Sequence, residues 1–273
     1  MFRCGLCRGG IPENLALLAA HGGSSMKHFI ATACAVLAAL CLCTPCARAS
    51  VVIGGTRVVF PGRQGEVTVR LSNAADKPAL VEAWIDTGDV HSTPDSVSTP
   101  FLITPPLFRM EPNKDQSLRI LFAPGSQPLP ADHESLFWLN VLEIPPKPSG
   151  AAADRNTLQF AIRSRLKLFY RPADLPGDPL KAPDQLVFKV ASDAQGSALE
   201  MHNPTPYYIT ISKLSFGTDG KTVAGAAGMV APFGDLRMPL KDRARAPAAD
   251  TSIAFTTIDD YGAGDAHKAS VTQ

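Results

Sequence analysis

Beyond residue 50, hydrophobic and polar positions alternate in short runs separated by turn residues, and no segment keeps a 3.6-residue apolar period long enough for a substantial helix. The first run covers 51–60. Val67, Val69 and Leu71 follow on one face and stop at Ser72-Asn73, and the run 79–85 carries Trp84. After a turn at Glu111-Pro112-Asn113 come Leu118, Ile120 and Phe122, then 136–142, then 157–170, the longest run of all. About seven such strands make one immunoglobulin-like sandwich. A seam of Pro172, Pro176, Gly177 and Pro179 interrupts the chain. Alternation then resumes at Leu186, Phe188 and Val190, at 198–202, at Tyr207, Ile209 and Ile211, at Met229-Val230 and at 252–258. The pattern predicts an all-β chain of two tightly linked immunoglobulin-like β-sandwich domains, one at 50–172 and a smaller one at 175–273. Signals in the second are weaker, and 224–228 reads as a loose loop.

The first 49 residues follow other rules. Met26 precedes Lys27 and His28, an apolar stretch over 29–42, and Ala47-Arg48-Ala49, small residues at the two positions a signal peptidase inspects. That predicts a secretory leader cleaved between Ala49 and Ser50; the stretch is shorter than the roughly 20 residues a membrane span needs. Residues 1–25 show no usable pattern, and a complete leader behind an internal Met gives the expectation that the given start lies too far upstream. All six cysteines (Cys4, Cys7, Cys34, Cys41, Cys43 and Cys46) fall before the cleavage point, and Cys4-x-x-Cys7 has no second half for a metal site. An exported chain without disulfides relies on its cores, and the 224 residues left when 49 are taken from 273 suffice for two.

Composition adds little to this picture but removes several function classes. Proline, at 24 residues, is nearly twice its usual share of about 5%, and it works against helices because it lacks a backbone donor. Without the leader the chain has 22 basic and 24 acidic residues, a net charge of −2, and no run of five like charges. Nothing there marks a nucleic-acid surface or a polybasic membrane patch. The remaining histidines, His91, His133, His202 and His267, do not fall in zinc-ligand spacing, and the sequence holds no nucleophile elbow, P-loop or dinucleotide fingerprint. The expectation is a non-enzyme that needs no cofactor.

One run could carry function by shape alone. In 157–170, Leu158, Phe160 and Ile162 share a face, and Gln159, Ala161 and Arg163 take the other. Long apolar strands are normally kept off sheet edges because they recruit other chains. Either the three large residues fill their own domain's core, or they are offered to a partner as an added strand. Pattern does not separate the two.

The stretch Leu166-Lys167-Leu168-Phe169-Tyr170-Arg171-Pro172 resembles the signature ending the first domain of periplasmic pilus-assembly chaperones of the chaperone–usher pathway. Thr56-Arg57-Val58-Val59-Phe60 resembles that family's first strand. Thr104-Pro105-Pro106 with Arg109-Met110-Glu111-Pro112 resembles its middle-strand turn, and Glu134-Ser135-Leu136-Phe137-Trp138-Leu139-Asn140 with Glu143-Ile144-Pro145-Pro146 its penultimate strand. Asn203-Pro204-Thr205-Pro206-Tyr207-Tyr208 and Ile258-Asp259-Asp260-Tyr261-Gly262 are similar to motifs of its second domain, so the likeness spans nearly all of 50–262.

The resemblance implies two sandwiches set at an angle, like a boomerang, in a periplasmic protein that holds pilus or fimbrial subunits and delivers them to an outer-membrane usher. Arg57 and Lys167 would grip the subunit's C-terminal carboxylate. Leu158, Phe160 and Ile162 would fill the groove of a subunit that lacks its last strand. Glu134, Arg171 and Asp260 match an interdomain charge triad. The moderate length of 147–157 favours the short-loop subgroup, and the C-terminus lacks the cysteine pair some members carry. Self-association of the idle protein, covering the sticky strand, also follows as an expectation. The rival reading is a pilus subunit or another secreted immunoglobulin-like binding protein, although subunits typically carry a disulfide and an extension of their own.

Overall fold

A computed structural model of the chain describes residues 50–125, 128–150, 156, 158–193, 196–216, 228–240 and 250–272. The expected leader with its cysteines lies outside the described residues, as do 151–155 and 157 of the segment before β9 and 224–227 of the expected loop.

Nine strands build the first domain: β1 (Val51–Ile53), β2 (Arg57–Pro61), β3 (Glu66–Asn73), β4 (Ala79–Asp86), β5 (Phe101–Thr104), β6 (Leu107–Met110), β7 (Asp115–Phe122), β8 (Ser135–Ile144) and β9 (Ile162–Arg171). They form a four-stranded sheet, β1-β3-β7-β5, and a five-stranded sheet, β2-β9-β8-β4-β6. Alternate residues of both sheets face inward, so Phe60, Leu71, Val81, Leu118, Ile120, Leu139 and Leu168 are fully buried in one core. Aromatic rings close one end: Phe101 meets Phe137 edge-on at 5.0 Å, and Phe122 stacks on Tyr170 at 4.6 Å.

The run 51–60 is two strands, because the chain changes sheets partway along it. β1 pairs with β3, whereas β2 pairs in parallel with β9. The crossing falls at Gly54-Gly55, where Gly55 takes φ +147°, a conformation side chains rarely adopt. The longest run is corrected too. β9 begins at Ile162 and not near 157, because its partner β8 ends at Ile144 and the last ladder pair is Glu143 with Ile162. Residues 158–161 therefore precede the strand.

The second domain contains β10 (Val187–Asp193), β11 (Gly196–His202), β12 (Ile209–Phe216), β13 (Gly228–Val230), β14 (Asp235–Pro239), β15 (Ser252–Ile258) and β16 (Gly264–Thr272). They run in one ladder, β13-β12-β15-β16-β10-β11-β14. Val230 from one end of the ladder and Leu236 and Met238 from the other pack on the same core as Phe188, Leu199, Met201 and Ile253, so the ladder folds back on itself. The hinge of that fold is β16, antiparallel to β15 along its length and parallel to β10 at Val271 and Thr272. Sequence reading missed β16 because its inward positions are His267, Ala269 and Val271, a weak apolar signal. It missed β5, β6 and β14 because prolines flank or end each of them.

Candidate functional site

The site is organised by β9, whose two faces differ. Leu166, Leu168 and Tyr170 pack in the first core, while Arg163, Arg165, Lys167, Phe169 and Arg171 lie on the outer face. β2 runs beside it in a register that sets Arg57 directly opposite Lys167. The structure thus brings the two expected anchor cations together, at the junction with the second domain. Arg57 Nη1 donates to the Ile258 carbonyl at 2.8 Å, and Lys167 Nζ to Thr210 Oγ1 at 3.3 Å. Arg57 Nε is buried with no hydrogen-bond partner. Burial lowers the Arg57 pKa, and burial followed by the charge of Arg57 lowers that of Lys167. Two desolvated cations side by side, with donors to spare, make a receptor for an anion.

Around them a cleft is lined by Phe169, Tyr207, Tyr208, Thr210, Ile258 and Asp260, and it encloses about 30 Å³. That is far below the roughly 300–1,000 Å³ of a small-molecule pocket. A wider groove of about 440 Å³ opens beside Arg57, lined by Gly54, Gly55, Val59, Glu66, Thr68 and Leu166. It touches β9 at Leu166, where a bare stretch of that strand ends: β2 pairs only from Lys167 onward, so residues 162–166 have β8 on one edge and, among the described residues, no strand on the other. At the far end of that edge stand Leu158, Phe160 and Ile162, exposed by 80, 68 and 53%. They do not fill their own core.

The charge triad also comes together. Arg171 donates from Nε to Glu134 Oε1 at 2.6 Å and, through Nη1 and Nη2, to both oxygens of Asp260 at 2.7 and 2.8 Å. Glu134 Oε2 accepts the Tyr208 backbone N–H at 2.8 Å, and the guanidinium lies over the Tyr207 ring at 5.2 Å. Burial opposes the Arg171 charge, but the hydrogen bonds to Asp260 and the fields of Glu134 and Asp260 outweigh it and raise the arginine above its ordinary range. On Glu134 burial wins: its pKa is raised in spite of Arg171 and the Tyr208 N–H.

Glycine 262, next to the triad, lets the β15–β16 turn approach the first domain. It has φ +86°, and a Cβ there would stand 2.4 Å from Thr56 Oγ1. Gly262→Ala is expected to cost about 1–3 kcal/mol, read as a lowered Tm; an unchanged Tm would show that the turn gives way freely.

Sequence reading missed a second cluster on the outer face of the same sheet: Trp84, Asp86, Trp138, Asn140, Arg163 and Arg165. A signal was there, since cations two apart at 163 and 165 must share a face, as must Trp84 and Asp86.

Comparisons with known proteins agree with this architecture. Residues 50–176 match the model "Pili and flagellar-assembly chaperone, PapD N-terminal domain", and 181–269 match "Pili assembly chaperone PapD, C-terminal domain". The chaperone protein FimB/FhaD of Bordetella pertussis is 44% identical over 239 residues, covering 87% of this chain and 93% of that one. The solved YadV chaperone, from Escherichia coli, is 36% identical with a TM-score of 0.69, covering 82% of this chain and all of its own. The Salmonella enterica SafA pilin in complex with the SafB chaperone gives 28% identity and a TM-score of 0.66 over 84% of this chain and 99% of the matched one.

Proposed function

The chain belongs to the PapD family of pilus-assembly chaperones, and on that premise we propose that it binds fimbrial subunits in the periplasm and passes them to an outer-membrane usher. Export uses a leader removed after Ala49, and the mature protein consists of a strand-donating domain at 50–172 and a second domain at 175–273. Subunit binding is by strand donation. Leu158, Phe160 and Ile162 enter the subunit's open groove, and Arg57 with Lys167 takes its terminal carboxylate.

The observation that carries this reading is the bare edge of β9, which joins three exposed apolar side chains to an unpaired cation pair. An edge of that kind is normally covered or charged. Burying each large side chain in a partner stabilises by about 1.5–3 kcal/mol, and each charge-assisted bond to the carboxylate contributes about 1.5–3 kcal/mol.

The test is the triple variant Leu158→Ser, Phe160→Ser, Ile162→Ser, co-expressed with a fimbrial subunit. Because all three side chains are already exposed, its Tm should equal that of the wild type, while the subunit should no longer accumulate in soluble form. Undiminished accumulation would sink the donated-strand reading.

A further inference from the structure

Two guanidinium groups on the outer face of β9 converge on one carboxylate. Arg165 donates to Asp86 from Nη2 at 2.5 Å and from Nε at 3.3 Å, and Arg163 Nη2 stands 3.6 Å away. The Asp86 side chain is 1% exposed, and its remaining lone pairs are taken by Asn140 Nδ2 at 2.7 Å, Ser92 Oγ at 3.0 Å and the Gly88 N–H at 2.6 Å. Arg163 also donates to the Val90 carbonyl, Ser92 Oγ and Asn140 Oδ1 at 2.8–3.0 Å. Each guanidinium lies over an indole, Arg163 over Trp84 at 4.7 Å and Arg165 over Trp138 at 4.3 Å. Burial pushes the Asp86 carboxyl up, but the bonds from Arg165, Asn140, Gly88 and Ser92 prevail and hold it below the usual carboxylate range.

The position of this knot along β9 gives it meaning. Toward the second domain the strand is gripped by the core through Leu166 and Leu168 and by β2 from Lys167 onward. Ahead of that, Ile162 is exposed and Ser164 half-buried, so residues 162–165 are held by the β8 ladder on one edge and by neither the core nor β2. Their outer-face ties are Arg163 and Arg165. A slip of one residue there would exchange the two faces of the segment. A buried ion pair contributes uncertainly to stability, but it fixes geometry well when every donor is matched.

From this we infer that Asp86 is a positioning residue for the donated strand: by holding Arg163 and Arg165 it sets the stem of β9 from which Leu158, Phe160 and Ile162 project. The inference rests on the strand-donation reading above, and its test uses the free chain, so that the two can fail separately. In Asp86→Asn, hydrogen exchange at those amides of 162–166 that pair with β8 should accelerate about tenfold or more, while β3, β7 and β15 keep their protection. Arg165→Lys, which keeps the charge and loses the fork, should loosen the same amides in a chain whose core is untouched. In the double variant Asp86→Asn, Arg165→Met, removal of the unpaired cation should restore Tm but not the protection of 162–166. That split separates positioning from stability. Unchanged exchange at 162–166 in the single variants, or acceleration spread evenly over the first domain, overturns the inference and leaves the chaperone reading standing.

Discussion

Replacing Arg57 and Lys167 together by alanine is expected to abolish subunit binding while leaving the free protein at least as stable as wild type. The two effects have opposite signs because the pair is only partly satisfied in the free chain, where Arg57 reaches the Ile258 carbonyl and Lys167 the Thr210 hydroxyl. Both cations are half-buried, each depresses its own charged form through lost solvation, and Arg57 lowers Lys167 further. The Arg57 Nε has no partner, and Lys167 has one long bond to a hydroxyl. A bound carboxylate would supply the missing charge. Losing two charge-assisted bonds of about 1.5–3 kcal/mol each corresponds to a loss of at least a hundredfold in affinity, at about 1.4 kcal/mol per tenfold. Isothermal titration with a purified subunit, beside thermal melts of the free variant, reads both. A variant that melts lower yet binds normally would assign the pair to stability alone.

The same pair fixes a pH dependence. The Lys167 pKa lies below the 10.5 of a free lysine, so over the interval between the two the unfolded chain holds more protons and stability rises with pH. Subunit binding behaves in the opposite way. A carboxylate favours the ammonium form, and affinity should fall as pH climbs through the lowered Lys167 value.

Arg171→Ala is the second large effect. Removing one member of a buried pair typically costs about 3–5 kcal/mol, and here it leaves the carboxylate of Glu134, 2% exposed, with the Tyr208 N–H as its remaining partner. The Glu134 pKa is already raised by burial, and without the guanidinium it rises further. A raised carboxylate pKa means that the folded state takes up a proton first, so its stability is greatest in acid and declines as pH rises through the folded value. Urea unfolding should therefore show a larger deficit for Arg171→Ala at pH 8 than at pH 5, and Glu134→Gln added to Arg171→Ala should recover part of it. Solution scattering of the variant should show a wider spread of domain arrangements. An equal deficit at both pH values would mean that Glu134 is not the group left stranded.

How much of this the sequence discloses depends on whether a feature is local. Alternation along 157–170 is local, so it puts Lys167 on the face opposite Ile162, and the strand keeps that parity. Where β9 begins is not local: it is decided by the last residue of β8, some twenty positions earlier in the chain. The triad members Glu134, Arg171 and Asp260 lie far apart in sequence and are legible only because each sits inside a recognisable motif. Asp86 ends β4 and gains its role from β8, β9 and the loop that follows it, so alternation links it to Trp84, and Arg163 to Arg165, but nothing local joins the two pairs. β16 hides for a related reason, since a buried His267 held by Thr257 and Asp184 stands where a pattern search expects an aliphatic residue.

The parallel pairing of β2 with β9 has a geometric corollary. Because β2 occupies the edge from Lys167 to Arg171, any guest chain zipping down from Ile162 meets an end stop at Arg57. On the proposed binding mode, the cleft would measure its guest backward from the last residue, as a ruler with one closed end. A guest with a single extra residue at its tail would then present the wrong alternation to Leu158, Phe160 and Ile162, so register would be policed where composition is not.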